Sequence, residues 1–160
     1  MMIRAVHSAD IPFMREMLME AAYWRVDATR PPIDEALADP ELSKLLADWG
    51  REGDVGVIAV DDAIPVGAAW YRFWTEDNHS YGYVAEDVPE LAIGVVSERR
   101  GEGIGAALLD ALMEAARDEN VARVSLSVEK DNPALRLYER AGFESMGELG
   151  NAWTMIRRTG

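Results

Sequence analysis

Residues 90–129 constrain this chain more than any other stretch. "ELAIGVV" is an apolar run of strand length, "SERRGEG" is a charged, glycine-bearing break, and "IGAALLDALMEAARDEN" places Ile104, Leu108, Ala111, Leu112 and Ala115 at helical spacing. "ARVSLSV" then returns as a second buried-type strand. A strand, a helix and a strand in so few residues read as a crossover between parallel neighbours in one sheet. The break itself is unusual. Gly101, Gly103 and Gly105 alternate where the helix must start, although each glycine in a helix costs about 1 kcal/mol relative to alanine.

A helix N-terminus offers unpaired N–H groups and the positive end of the helix dipole. Glycines let a bulky anion approach those groups, and Arg99 and Arg100 add positive charge beside them. The stretch reads as a phosphate cradle. Gly101-x-Gly103-x-x-Ala106 also matches the dinucleotide pattern GxGxxG/A, with Glu129 ending the following strand. Two features oppose that reading. Ser97 to Arg100 separate the strand from the glycines, and too little chain remains to complete a doubly wound sheet. No Gly-Lys-Ser/Thr follows, which excludes a P-loop.

The rest of the chain supplies the partners of this unit. "IRAV" reads as a short strand, followed by a helix to about Trp24, capped by Ser8 or Asp10. "RPPIDEAL" starts a further helical piece, and "PELSKLLADWG" has the proline-first, glycine-last pattern of a helix from Pro40 to Gly50. "VGVIAVD" and "IPVGAAWYRFW" form a hairpin around "DDA". "TEDNHSYGYVAEDVP" is a polar loop with a second short strand in "YGYV". "NPALRLYERAGF" is a short helix with Asn132 as N-cap, Pro133 first and Gly142 at its end. "SMGELG" and "NAWTMIRR" close the chain as a turn and a strand. The order implies a mixed α/β sheet, antiparallel early with one parallel crossover late.

Neither repeat nor linker divides the 160 residues, so residues 1–160 are expected to form a single domain. With no cysteine and only His7 and His79, no metal site is expected. The start of the chain lacks an apolar signal core and no segment has the length of a membrane span, so a cytoplasmic location is expected. The net charge of −13 opposes nucleic acid or an anionic membrane as partner and suits a cationic small molecule or basic peptide.

Arg100-Gly-Glu-Gly103-Ile-Gly105-Ala106 resembles the R/Q-x-x-G-x-G/A acetyl-CoA motif of the GNAT superfamily of N-acetyltransferases, and "DNPALRLYERAGFES" resembles its second signature. The resemblance covers about residues 90 to 145. It implies a GNAT-like, mostly antiparallel central sheet flanked by helices, with a V-shaped splay between "ELAIGVV" and "ARVSLSV". It further implies acetyl-CoA as co-substrate. The pyrophosphate would lie on the N–H groups from Arg100 through Gly101, Gly103, Ile104 and Gly105 to Ala106, and the pantetheine arm along Ile93 to Val95, with Asn132 as a further contact. Homodimers are common in the superfamily.

The implied reaction is attack of a primary amine, of a small molecule or peptide, on the acetyl thioester. A lysine-like amine with a pKa of about 10.4 is neutral in only about one molecule in 2,500 at pH 7, a deficit of roughly 4.6 kcal/mol. A base is therefore expected. Glu90, opening the strand that would carry the acetyl group, is the candidate, with Glu129 and the Glu86–Asp87 pair behind it. Tyr138 is the candidate acid for the departing thiolate; its alternative role is a core tyrosine. A non-catalytic acyl-CoA-sensing domain of the same fold is the alternative function.

Overall fold

The computed structural model describes residues 1–25 and 29–160. The elements run β1 (Met2–Ala5), α1 (Ile11–Ala22), α2 (Ile33–Ala36), α3 (Pro40–Ser43), β2 (Val55–Asp61), β3 (Ile64–Arg72), β4 (Glu90–Val95), α4 (Ile104–Asp118), β5 (Arg123–Glu129), α5 (Ala134–Arg140), β6 (Glu144–Leu149) and β7 (Ala152–Arg158). One seven-stranded sheet has the order β1-β2-β3-β4-β5-β7-β6. Every neighbouring pair is antiparallel except β4 and β5.

The central strands β2 to β4 are apolar over most of their length because both faces are covered. Successive residues alternate between two cores. Val57, Ala59, Ala69 and Tyr71 join Leu108, Leu112 and Met113 of α4 on one face. Ile58, Val60, Ala68 and Trp70 join Met14, Met17 and Leu18 of α1 on the other. Close approach of α1 to β4 requires a glycine. A Cβ at Gly94 would lie 2.4 Å from the Met17 carbonyl oxygen.

The splay is present. β4 and β5 meet in register only at Glu90 and Ser125, where Ser125 N–H donates to the Pro89 carbonyl at 2.9 Å. Beyond that point β5 follows β7, with which it pairs from Arg123 to Glu129, and β4 follows β3 from Glu90 to Val95.

Four local expectations change. "YGYV" is not a strand. Tyr83 N–H closes a turn onto Ser80, and Gly82 N–H goes to the Glu90 carboxylate instead of a ladder. "SMGELG" is not a turn but most of β6, an edge strand exposed along its whole length, so it lacks the alternation that marks a half-buried strand. The helix expected from Pro40 to Gly50 stops at Ser43 and continues as turns to Asp48, whose φ is 55°. Side chains from β3 hold that segment: Trp70 Nε1 donates to the Leu45 carbonyl, and Arg72 to those of Lys44 and Ala47. Asp10 sits at the start of α1, but its carboxylate accepts from His7 N–H and from Arg4 rather than capping the helix.

Candidate active site

The glycine stretch leaves β4 through a single 3-10 turn, Ser97–Arg99, and enters α4 at Ile104. Gly101 and Gly103 have φ of 80° and 85°, a region in which side-chain-bearing residues are strained. A Cβ at either would meet nothing within 4 Å, so backbone conformation, not packing, requires glycine there. Gly105 differs. It is helical, and its Cβ would come 3.0 Å from Leu137, so it lets α4 and α5 approach. Among the described residues, the N–H groups of residues 101–106 have no acceptor. Arg100 donates to Glu20 of α1 at 2.7 Å, and Arg99 is held by Asp61 and Glu102.

The gap between β4 and β5 opens toward this turn. Since the Pro89 carbonyl faces β5 and strand groups alternate in direction, the backbone groups of Leu91, Ile93 and Val95 face the same side. Leu91 still faces Ser125 at the one β4–β5 pair; past it, the groups of Ile93 and Val95 have no strand to pair with. An extended chain carrying amides would complete that edge.

Glu90 sits where the strands part and is 7% exposed. Trp74 Nε1 donates to Oε1 at 2.9 Å and Gly82 N–H to Oε2 at 3.1 Å. Ser125 Oγ donates to the Gly82 carbonyl at 2.7 Å, fixing that loop across the two strands. Burial pushes the Glu90 carboxyl up to about 7. The Trp74 and Gly82 hydrogen bonds and the nearby charges of His79 and Lys44 work against that rise.

Tyr138 lies on α5, which Asn132 caps by accepting Ala134 N–H at 2.9 Å. The helix ends at Gly142, φ 94°, where Phe143 N–H returns to the Tyr138 carbonyl. The Tyr138 and Phe143 rings meet edge to face at 6.0 Å. Thus the glycine and phenylalanine after the tyrosine fix its helix and its ring. The Tyr138 hydroxyl has no hydrogen-bond partner among the described residues, and burial raises its pKa above the ordinary tyrosine value.

One cleft of about 1310 Å³ is lined by every residue assigned from sequence to the acetyl-CoA and catalytic sites. The glycine turn and α5 border one end; Glu90, Tyr81 and the α2–α3 segment border the other. Several further candidates lie elsewhere or are engaged. Glu129 borders the cleft but pairs with Arg25 at 3.0 Å. Glu86 and Asp87 are exposed on their loop. Of the aromatic residues, Trp70 and Tyr71 are core residues, whereas Tyr23, Trp24 and Tyr81 line the cleft. Sequence reasoning missed Trp74 and Gly82 as partners of Glu90 and Glu20 as partner of Arg100. Those contacts span loops and carry no periodic signal.

The acetyltransferase (GNAT) family matches residues 12–143. The chain belongs to that family. The GNAT chain is 34% identical over 88 residues to a mycothiol acetyltransferase of Corynebacterium aurimucosum, covering 54% of this chain and 27% of that protein. It is 34% identical over 101 residues to the L-methionine sulfoximine/L-methionine sulfone acetyltransferase of Pseudomonas paraeruginosa, covering 62% and 56%. It therefore spans about a quarter and about half of these relatives through the matched stretches. The PaiA N-acetyltransferase of Thermoplasma acidophilum, solved in complex with coenzyme A, shares the fold with a TM-score of 0.72 over 98% of both chains at 15% identity. Acetyl-CoA is the co-substrate of this family. Among the described residues no helix is long and apolar enough to cross a membrane.

Proposed function

We propose that this GNAT chain transfers an acetyl group from acetyl-CoA to a primary amine by direct attack on the thioester. The observation that carries the reading is the parting of β4 and β5 beyond Glu90 and Ser125, in a cleft with unpaired N–H groups at one end and a buried carboxyl at the other. The donor set fits the co-substrate. Amides 101–106 and Arg100 suit a pyrophosphate, and the free edge at Ile93 and Val95 suits the amides of a pantetheine arm. Asn132, already a cap, borders the same cleft.

Acetyl-CoA supplies the activated acyl group, and the chain's residues manage the protons. Glu90, with a pKa near 7, takes one proton from the bound ammonium. The neutral nitrogen then forms the new C–N bond while the C–S bond breaks. Tyr138, protonated at neutral pH as any tyrosine is, gives its proton to the departing sulfur. The second proton lost by the nitrogen restores the tyrosine hydroxyl, and Glu90 releases its proton to solvent.

The test is thermal stability with acetyl-CoA or NAD, followed by thiol release in the presence of amines. Stabilisation by acetyl-CoA alone, lost in Gly103→Glu, is the expected result. Saturating acetyl-CoA without a shift would remove the reading, along with the roles of Tyr138 and Glu90.

A further inference from the structure

We infer that Arg25 clasps the open end of the splay and must let go for acetyl-CoA to enter or leave. This rests on the acetyl-CoA reading of the cleft and concerns passage through it. β4 and β5 are joined by backbone at one end only, through Glu90 and Ser125. At the other end β4 runs into the glycine turn and β5 stops at Glu129, with no ladder between them. There the two arms are bridged by side chains from the end of α1.

α1 belongs to the β4 arm. It packs on that strand so closely that Gly94 must lack a Cβ, and its Glu20 accepts from Arg100 of the glycine turn at 2.7 Å. Just past the helix, Arg25 crosses to the β5 arm, pairing with Glu129 at 3.0 Å and with Asp131 at 2.8 Å. Asp131 is itself anchored, since Asn151 between β6 and β7 donates to it at 3.2 Å. Trp24 and Glu129 line the cleft, whereas Arg25 and Asp131 stand outside the lining. The Arg25 guanidinium lies 4.3 Å from the centre of the Trp24 ring. The ion pairs thus back residues that wall the cleft and tie its two sides together where no backbone does.

Such a contact can both hold and open. Arg25, Glu129 and Asp131 are 43%, 45% and 51% exposed, and exposed pairs each contribute a factor of a few that salt reduces. The clasp uses only the protein's own side chains. It therefore opposes entry and release alike, and leaves the affinity nearly unchanged.

The experiment measures the association and dissociation rate constants of acetyl-CoA on the immobilised full chain. In the charge-conserving double variant Arg25→Gln/Asp131→Asn, both should rise together by about 3- to 10-fold, with Kd within about twofold of the parent. Arg25→Lys, which keeps the charge, should stay near the parent. About 0.5 M salt should shrink the difference between parent and double variant. Unchanged rates in the double variant would overturn the clasp while leaving acetyl-CoA binding intact. So would a weaker Kd with an unchanged association rate, because Arg25 would then be a binding contact. Failure of the parent to bind acetyl-CoA would instead remove the clasp and the acetyltransferase reading together.

Discussion

Trp74→Phe isolates the electrostatics of Glu90. The substitution keeps a buried ring and deletes the Nε1 donor that reaches Oε1 at 2.9 Å. A hydrogen bond to an ionised group is worth about 1.5–3 kcal/mol net, and one pKa unit corresponds to about 1.4 kcal/mol. Its loss should raise the Glu90 pKa from about 7 by roughly one to two units. At pH 7 the ionised fraction then drops from about a half to between about a tenth and a hundredth, so kcat/KM should fall roughly 5- to 50-fold. The defect should vanish near pH 9 to 10, where the carboxylate is restored. The assay is the pH profile of kcat/KM by thiol release, with Glu90→Gln as the reference that loses the rising limb near pH 7. A limb that stays in place in Trp74→Phe, or a loss of equal size at every pH, would refute the assignment of that limb to Glu90.

The same carboxyl makes a stability prediction. Its folded pKa lies above the ordinary value of 4.5, so the folded state binds the proton more tightly. The resulting stabilisation is complete below about pH 4.5 and is lost as the pH rises through about 7, on the order of 3 kcal/mol. Urea unfolding of the parent should show that decline, and Glu90→Gln should not. Tyr138→Phe removes only the acid and should lower kcat roughly 100-fold, with the acetyl-CoA-induced thermal shift retained. Gly94→Ala forces a Cβ to 2.4 Å from the Met17 carbonyl oxygen; overpacking of this kind costs about 1–3 kcal/mol, and calorimetry should record at least the upper part of that range because backbone, not side chain, is in the way. Asn132→Ala removes the cap on Ala134 N–H and should cost about 1 kcal/mol in urea unfolding.

The parts of the fold legible in the sequence were those where burial imposes a period. α4 announces itself through Ile104, Leu108 and Leu112, all buried, and the apolar runs of β2 to β5 reflect a sheet covered on both faces. β6 escaped because an edge strand with no buried residue has no pattern to show. The Pro40–Gly50 helix was overestimated because its composition is helical while its conformation is dictated by Arg72 and Trp70, more than twenty residues away. Turn chemistry behaved likewise. Gly101 and Gly103 were legible as special positions, yet Gly82 was not, although its N–H reaches Glu90 and a Cβ there would strike that carboxylate at 2.7 Å.

That asymmetry follows from what a catalytic carboxyl needs. A phosphate cradle is local, built from consecutive amides and a helix start, so its sequence is contiguous. A base with a pKa near neutrality is a balance between burial and donors, and its donors come from wherever the fold can deliver them. Here Trp74 lies just past the end of β3, Gly82 lies in a loop, and Ser125 pins that loop from the far side of the splay. The splay and the base are thus one construction. The loop that holds Glu90 crosses from β4 to β5 at the single residue pair where they still touch. Ser125→Ala should therefore disturb both, moving the rising limb of the pH profile and weakening acetyl-CoA binding, although Ser125 itself is fully buried. A change in only one of those two measurements would show that base and splay are held separately.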